Sequence, residues 1–306
     1  GKPPSSTAQK ILAERAVGVP AWAADAKLLR AHASAHRGKF AEAARLAAEG
    51  AKGHGAERPE SGWWAGRWAL APGGDATVAF ERLTRFSAYE TYRPEATLWR
   101  IRALLTLSRP QQADGLLSTL AKTKSKELEA LREELQVAKV RIADALDERR
   151  RLQDLCPPSL GISAAARVTA CAEALLPRGE TRLVRRWWKR APRRSALRTY
   201  LRGLRYLAQG SGKDALRYLR SKKLQPGASL QPFPPIDPVR VLTASGQAQV
   251  LAGNFGAGLA TLKAALSRSA GAVALRVALA KALVVAARDT EALQVLEAVV
   301  AAKPSD

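Results

Sequence analysis

Between Arg182 and Lys223 the sequence carries 15 Lys and Arg residues against one acid, Asp214, so +14 of the chain's net charge of +23 falls within 42 consecutive residues. Arginine offers a planar fork of donors that binds carboxylate or phosphate oxygens in pairs, and it stacks on aromatic rings. The run RLVRRWWKRAPRR over 182–194 sets Trp187 and Trp188 among Arg182, Arg185, Arg186, Lys189 and Arg190. Arg194, Arg198, Arg202 and Arg205 follow at spacings of 4, 4 and 3, which places them on one stripe of a helix beside a second stripe of Leu197, Leu201 and Leu204. The chemistry this suits is anion binding: an acidic protein groove, a phosphate-rich nucleic acid or anionic lipid heads. Like charges at this density repel one another unless an anion answers them. The plainer reading is that the tryptophans fill core positions and the arginines only solubilise.

The remaining reactive residues argue against catalysis. His32 and His36 stand at i, i+4 on a predicted helix, as a metal site needs, but the segment HASAH lacks the internal glutamate of a zinc-protease helix, and a third ligand could come only from more distant carboxylates such as Asp25 or Glu42. Cys156 and Cys171 are 15 positions apart, one before Pro157-Pro158 and one inside the apolar segment AAARVTACAEALL. A bridge between them would staple loop to helix and suits an oxidising compartment; two separate thiols would suit the cytosol. The bridge is the favoured expectation. Runs such as ELEALREELQ (127–136) and DALDERRR (144–151) alternate acids with arginines and read as solvated helix faces. No phosphate-cradling glycine loop, dinucleotide fingerprint or nucleophile elbow occurs. No catalytic residue, metal site or cofactor is expected.

The elements that carry these residues read as helices. The chain has 306 residues, 47% of them hydrophobic, and its apolar runs are broken by charges such as Arg276, Lys281 and Arg288 well before the roughly 18 residues that a membrane span needs. Residues 125–155 contain neither Gly nor Pro and show apolar positions in a 3-4 alternation, which predicts one long helix. Leu224 to Pro238 holds five prolines and must be a loop; Phe233 within it is a candidate aromatic contact for a partner, alongside Trp187 and Trp188. In WWAGRWALA (63–71), Trp64 and Trp68 share a helical face, and core packing is the expectation there. The absence of methionine suggests that native residues precede Gly1, and the opening GKPPSST reads as a tail.

A 34-residue spacing organises the C-terminal part: Gly246 recurs as Ala280, Gly258 as Ala292, Leu262 as Leu296, Leu266 as Val300 and Ala270 as Pro304. The segments GNFGAGLATLKAAL (253–266) and RDTEALQVLEAVV (288–300) resemble the second helix of a tetratricopeptide unit, with Pro304 where that family stops its helix. RGKFAEAARLAAEGA (37–51), ATLWRIRALLTLSRPQQADGLLSTL (96–120) and YLRGLRYLAQGSGKDALRYL (200–219) are similar to it, the last through Gly203, Tyr206, Gly210 and Ala215. With the small residue of each second helix as marker, units fall at Ala43, Ala79, Ala113, Ala215, Gly258 and Ala292; the gap of 102 between Ala113 and Ala215 leaves room for two irregular ones. The resemblance implies an all-α fold, an α-solenoid of helix-turn-helix repeats wound as a right-handed superhelix, with about seven units and a concave groove.

The expected organisation is a tail over 1–20, repeats over 21–122, a long connecting helix over 123–156, basic helical repeats over 157–223, the proline-rich loop over 224–238 and C-terminal repeats over 239–306. The resemblance implies a non-catalytic scaffold for a protein or peptide partner, and the basic stretch makes that partner acidic. Two rival readings stand beside it. One is the superhelical scaffold region of a larger envelope enzyme, as in soluble lytic transglycosylases, whose catalytic glutamate-serine signature finds no match here. The other is a nucleic-acid-binding helical repeat. A periplasmic or otherwise extracytoplasmic location goes with the disulfide, a cytoplasmic one with free thiols.

Overall fold

The computed structural model describes residues 23–51, 59–71, 75–86, 93–122, 126–224, 233–269 and 272–301. Among them there are no strands, and the elements are α1 (Ala23–His36), α2 (Phe40–Ala51), α3 (Pro59–Ala69), α4 (Ala76–Phe86), α5 (Arg93–Thr106), α6 (Pro110–Ala121), α7 (Lys126–Ala130), α8 (Arg132–Ala145), α9 (Arg149–Leu155), α10 (Ala165–Leu175), α11 (Thr181–Arg190), α12 (Ala196–Ala208), α13 (Gly212–Leu219), α14 (Pro238–Leu251), α15 (Phe255–Ser267), α16 (Val273–Val285) and α17 (Asp289–Ala301). The all-α expectation holds. The chain divides into two compact units, residues 1–104 and 105–306.

In the first unit α1 pairs with α2, α2 packs on α3, and α3 pairs with α4. Its core gathers Ala31, Phe40, Ala43, Ala47, Ala65, Trp68 and Ala79, with small residues where helices cross closely and Trp68 filling the space between them. Trp63 and Trp68 are buried, and Trp64 stacks on Trp68 at 5.2 Å, so the tryptophan run is core, as its spacing suggested.

Among the described residues the second unit contains the hairpins α8/α9, α10/α11, α12/α13, α14/α15 and α16/α17. The first helix of each also touches the first helix of the next, from α8 through α10, α12 and α14 to α16. Each hairpin thus hides its apolar face on its neighbour, which is how a helical solenoid gains stability.

Most of the hairpins share one turn. A left-handed residue follows the first helix at Gly38, Asp147, Gly179, Gly210, Gly253 and Ala287, and Ser108 plays the same part between α5 and α6. The next residue's N–H reaches back five positions, as in Lys39 to Ser34 O at 2.9 Å, Glu148 to Ala143 O at 2.9 Å and Arg288 to Leu283 O at 2.9 Å. This closes the helix end by a Schellman motif. Ala287, at φ 55°, bears the steric cost that L-residues meet in this region. Ala287→Gly should therefore raise stability by about 1 kcal/mol, the relief being partly cancelled by glycine's freer unfolded state. A denaturant midpoint that stays put or falls would contradict that account.

Two expectations need correction. The long helix over 123–156 is three helices, α7, α8 and α9, because the chain turns at Leu131 and again at Asp147. Asp tolerates the left-handed conformation better than most residues, so the break carries no Gly or Pro. The proline-rich loop starts later than Leu224, which is buried in a short 3-10 turn, Lys222–Leu224, and it ends before Pro238, the first residue of α14.

The gap of two units is filled by α8/α9 and α10/α11. Ala43, Ala79, Ala113, Ala215, Gly258 and Ala292 all stand at the fourth position of a second helix and all are buried. In the two irregular hairpins that position holds Leu152 and Val184, both buried as well. The expected tail over 1–20 lies outside the described residues. No helix among the described residues is long and apolar enough to cross a membrane.

Candidate anion-binding site

Helix α11 follows the left-handed turn at Gly179 and stops before Pro192. Its Val184 and Trp187 face the core, while Arg182, Arg185, Arg186, Lys189 and Arg190 are exposed. Ser195 then caps α12, its Oγ accepting from Arg198 N at 3.1 Å, and Leu197, Tyr200, Leu201 and Leu204 are buried. Gly203 lets α13 approach: a Cβ there would stand 2.7 Å from Leu219 Cδ2.

The arginine stripe of α12 comes out of this packing in a particular form. Arg198, Arg202 and Arg205 place their guanidinium carbons 5.3, 5.5 and 5.0 Å from the Trp188 ring centroid. Arg202 also lies 4.4 Å from the Tyr218 ring and Arg205 5.0 Å from that of Tyr206, while the two tyrosines stack at 5.7 Å. Three guanidinium groups thus crowd around one indole. Each such contact contributes about 0.5–2 kcal/mol. Like charges gathered around one ring also repel one another, at a cost that grows as their separation falls.

No carboxylate of the described residues pairs with these three arginines; the ion pairs of the neighbourhood, Arg178 with Asp144 and Asp147 and Arg149 with Glu180, lie before α11. Arg198 donates to Ala191 O at 3.0 Å. The Nε atoms of Arg202 and Arg205 and Nε1 of Trp188 are buried without a hydrogen-bond acceptor. Lys213 and Arg217 on α13 and Arg220 just after it line an open groove with Leu216, Ser221, Ala252 and Asn254.

The structure rearranges the sequence-level site. Arg194 sits in the turn before α12 rather than on its stripe, and its carbonyl accepts from Lys223 Nζ at 3.0 Å. Arg190 donates to Pro158 O at 3.1 Å. Trp187 is fully buried and Phe233 is 8% exposed, so neither offers a ring to a partner; Trp188 is half-buried beneath the arginines. Burial of Trp187 follows from its place two-thirds of the way along α11, one turn after Val184, on the face that meets the core.

Behind this face lies a network that sequence reasoning missed. The Glu173 side chain, 8% exposed, accepts from Arg141 Nη1 at 2.5 Å and Arg240 Nη1 at 2.8 Å, and from the Tyr200 hydroxyl at 2.7 Å. It ties α10 to α8, α12 and α14. Burial alone would raise the Glu173 pKa, but the charges of Arg141 and Arg240 outweigh it, with help from Tyr200, and hold the carboxyl below its ordinary value. Burial, then the Glu173 charge, raises Tyr200 well above the usual phenol range, so its O–H remains a donor.

Cys156 and Cys171 form the expected disulfide, joining the end of α9 to the middle of α10. In the first unit, His32 packs edge-on against Trp64 and Trp68, at 4.8 and 4.9 Å. Arg67 lies 5.2, 4.7 and 5.0 Å from the rings of Trp63, Trp64 and Trp99 and pairs with Glu95 at 3.4 Å. Among the described residues no group of three or more His, Cys, Asp or Glu could hold a metal ion.

A family model described as tetratricopeptide repeat matches residues 249–306, the stretch from the end of α14 through α16/α17 in which the 34-residue spacing is regular. No match to the chain is found among curated proteins. With that match in the last hairpins, and the same turn and the same buried second-helix position recurring through both units, the chain is a tetratricopeptide-like helical-repeat protein of the α-solenoid class.

Proposed function

We propose that this protein is a non-catalytic interaction scaffold whose partner is an acidic protein or peptide, docked on the basic face between Arg182 and Lys223. Repeats of this kind serve in general as protein-interaction scaffolds, and the family is typically non-catalytic. The single observation that carries the finer reading is the exposed row Arg182, Arg185, Arg186 and Lys189 on α11, none of which makes an ion pair with a carboxylate of the described residues; Lys213 and Arg217 on α13 are exposed as well. Nucleic acid is the weaker reading, because Trp188, Tyr206 and Tyr218 already carry arginines over their rings and offer little platform for bases. The disulfide favours an extracytoplasmic setting.

Binding of fluorescent poly-L-glutamate, read by anisotropy, tests the proposal. Affinity should fall steeply with salt, and the quadruple charge reversal R185E/R186E/K189E/R217E should weaken it at least tenfold. Salt-independent binding, or equal affinity in the variant, would remove the acidic partner from the reading.

A further inference from the structure

We infer that the arginine cage around Trp188 is a binding site for a phosphomonoester group presented by the partner. This rests on the anion-binding reading above and gives it a chemical identity. Arg198, Arg202 and Arg205 all lie within 5.5 Å of one indole centroid, so three positive charges share a volume that holds no carboxylate of the described residues. A single carboxylate supplies one negative charge and two oxygens in one plane. A phosphomonoester carries between one and a half and two charges at neutral pH and presents three terminal oxygens in three directions.

The donor geometry points the same way. Ring contacts at 4.4 to 5.5 Å restrain the guanidinium groups, which carry their N–H donors along a planar fork. The Nε–H groups of Arg202 and Arg205 are buried and have no acceptor in the protein, although a buried donor normally has one. Arg198 is held in place by Ala191 O at 3.0 Å, and Arg202 by the Tyr218 ring at 4.4 Å. Arginines set in advance lose little freedom when a ligand arrives. The rings beneath them are occupied by these cations, so the site takes the charged group and offers no stack to a nucleobase.

The test is calorimetric titration of the whole protein at constant ionic strength with inorganic phosphate, O-phosphoserine, glucose 6-phosphate, acetate and a thymidine oligonucleotide. Saturable one-to-one binding is expected, with phosphate or a monoester at least tenfold tighter than acetate, and weaker below about pH 6 as the monoester takes up a proton. Tighter binding of phosphoserine or of glucose 6-phosphate would each support the site and name the source of the group. R202Q/R205Q should lose at least tenfold in phosphate affinity, and R202K/R205K, which keeps the charge without the planar fork, should lose severalfold; both should still bind poly-L-glutamate through α11. Phosphate no tighter than acetate, variants that titrate like the parent, or a preference for the oligonucleotide over every monoester would overturn the inference. If phosphate binding is absent while poly-L-glutamate still binds, the monoester site falls and the acidic-partner reading stands; loss of both in the parent protein sinks the two together.

Discussion

Glu173→Gln should destabilise the second unit by about 3 kcal/mol, the lower end of what removing one partner from a buried ion pair costs. The lower end applies because the two cations left behind differ. Arg240 is 44% exposed and can turn to water, whereas Arg141 is 10% exposed and cannot. Most of the cost is thus the orphaned Arg141 charge rather than the lost attraction, and replacing both members by apolar residues of similar volume, as in Glu173→Leu with Arg141→Met, should recover much of the loss. Urea midpoints of the single and double variants measure this, and equal destabilisation in both would show that the attraction itself was the larger part. The pH dependence has a definite sign. The folded pKa of Glu173 is depressed, so its contribution is present above the unfolded pKa, near 4.3, and is lost as pH falls through the folded value. The parent protein should lose stability on that acid limb, and Glu173→Gln should lose less. Because Glu173 joins four helices that each belong to a different hairpin, local loss should spread along the array.

How much of this was legible in the sequence depended on whether a position demanded one residue type. The turns at Gly38, Gly210 and Gly253 could be seen because glycine is the cheapest way into the left-handed region. The same turn at Ser108, Asp147 and Ala287 could not, since those residues adopt it only when the packing on both sides imposes it. Asp147 explains the misread long helix: a 3-4 apolar pattern runs on through α8 and α9 because both helices bury a face, and no local signal separates them. Leu152 and Val184 left two hairpins without the small-residue marker found elsewhere at that place, so only the length of the gap announced them.

At the site, composition revealed the charge but not its arrangement. Trp187 and Trp188 are adjacent in the chain, yet one is core and the other is the floor of the arginine cage, a distinction set by which way α11 faces. The Glu173 network was invisible because its partners stand 32, 27 and 67 positions away. In a solenoid such contacts arise only after neighbouring hairpins have stacked, so no spacing rule within one repeat can find them.

Reducing the disulfide should cost the second unit about 3 kcal/mol, the chain-entropy value for a closed loop of about 15 residues. The bridge joins the last turn of α9 to the centre of α10, and both cysteines are buried, at 1% and 0% exposure. The first turn of α10 is tied to the same point: Arg167 donates from Nε and Nη2 to Leu155 O at 3.0 and 2.6 Å. These bonds are made in the reduced protein as well, but they restrain only the folded chain, whereas the bridge also restricts the unfolded one. The loss should therefore appear chiefly as a lower melting temperature for Cys156→Ala/Cys171→Ala, with the folded circular dichroism spectrum unchanged. α9 and α10 belong to adjacent hairpins that also hold Leu152 and Val184, where the bulky second-helix residues replace the usual close crossing. The covalent link between these two hairpins keeps α10 seated, and α10 carries Glu173 two residues after Cys171. Reduction and Glu173→Gln should consequently act non-additively, each already having loosened what the other holds. Hydrogen exchange over residues 149–175 offers the check: faster exchange confined to that stretch and to α12 is expected on reduction, and unchanged protection there, or a melting temperature indifferent to reductant, would mean that packing alone secures the seam.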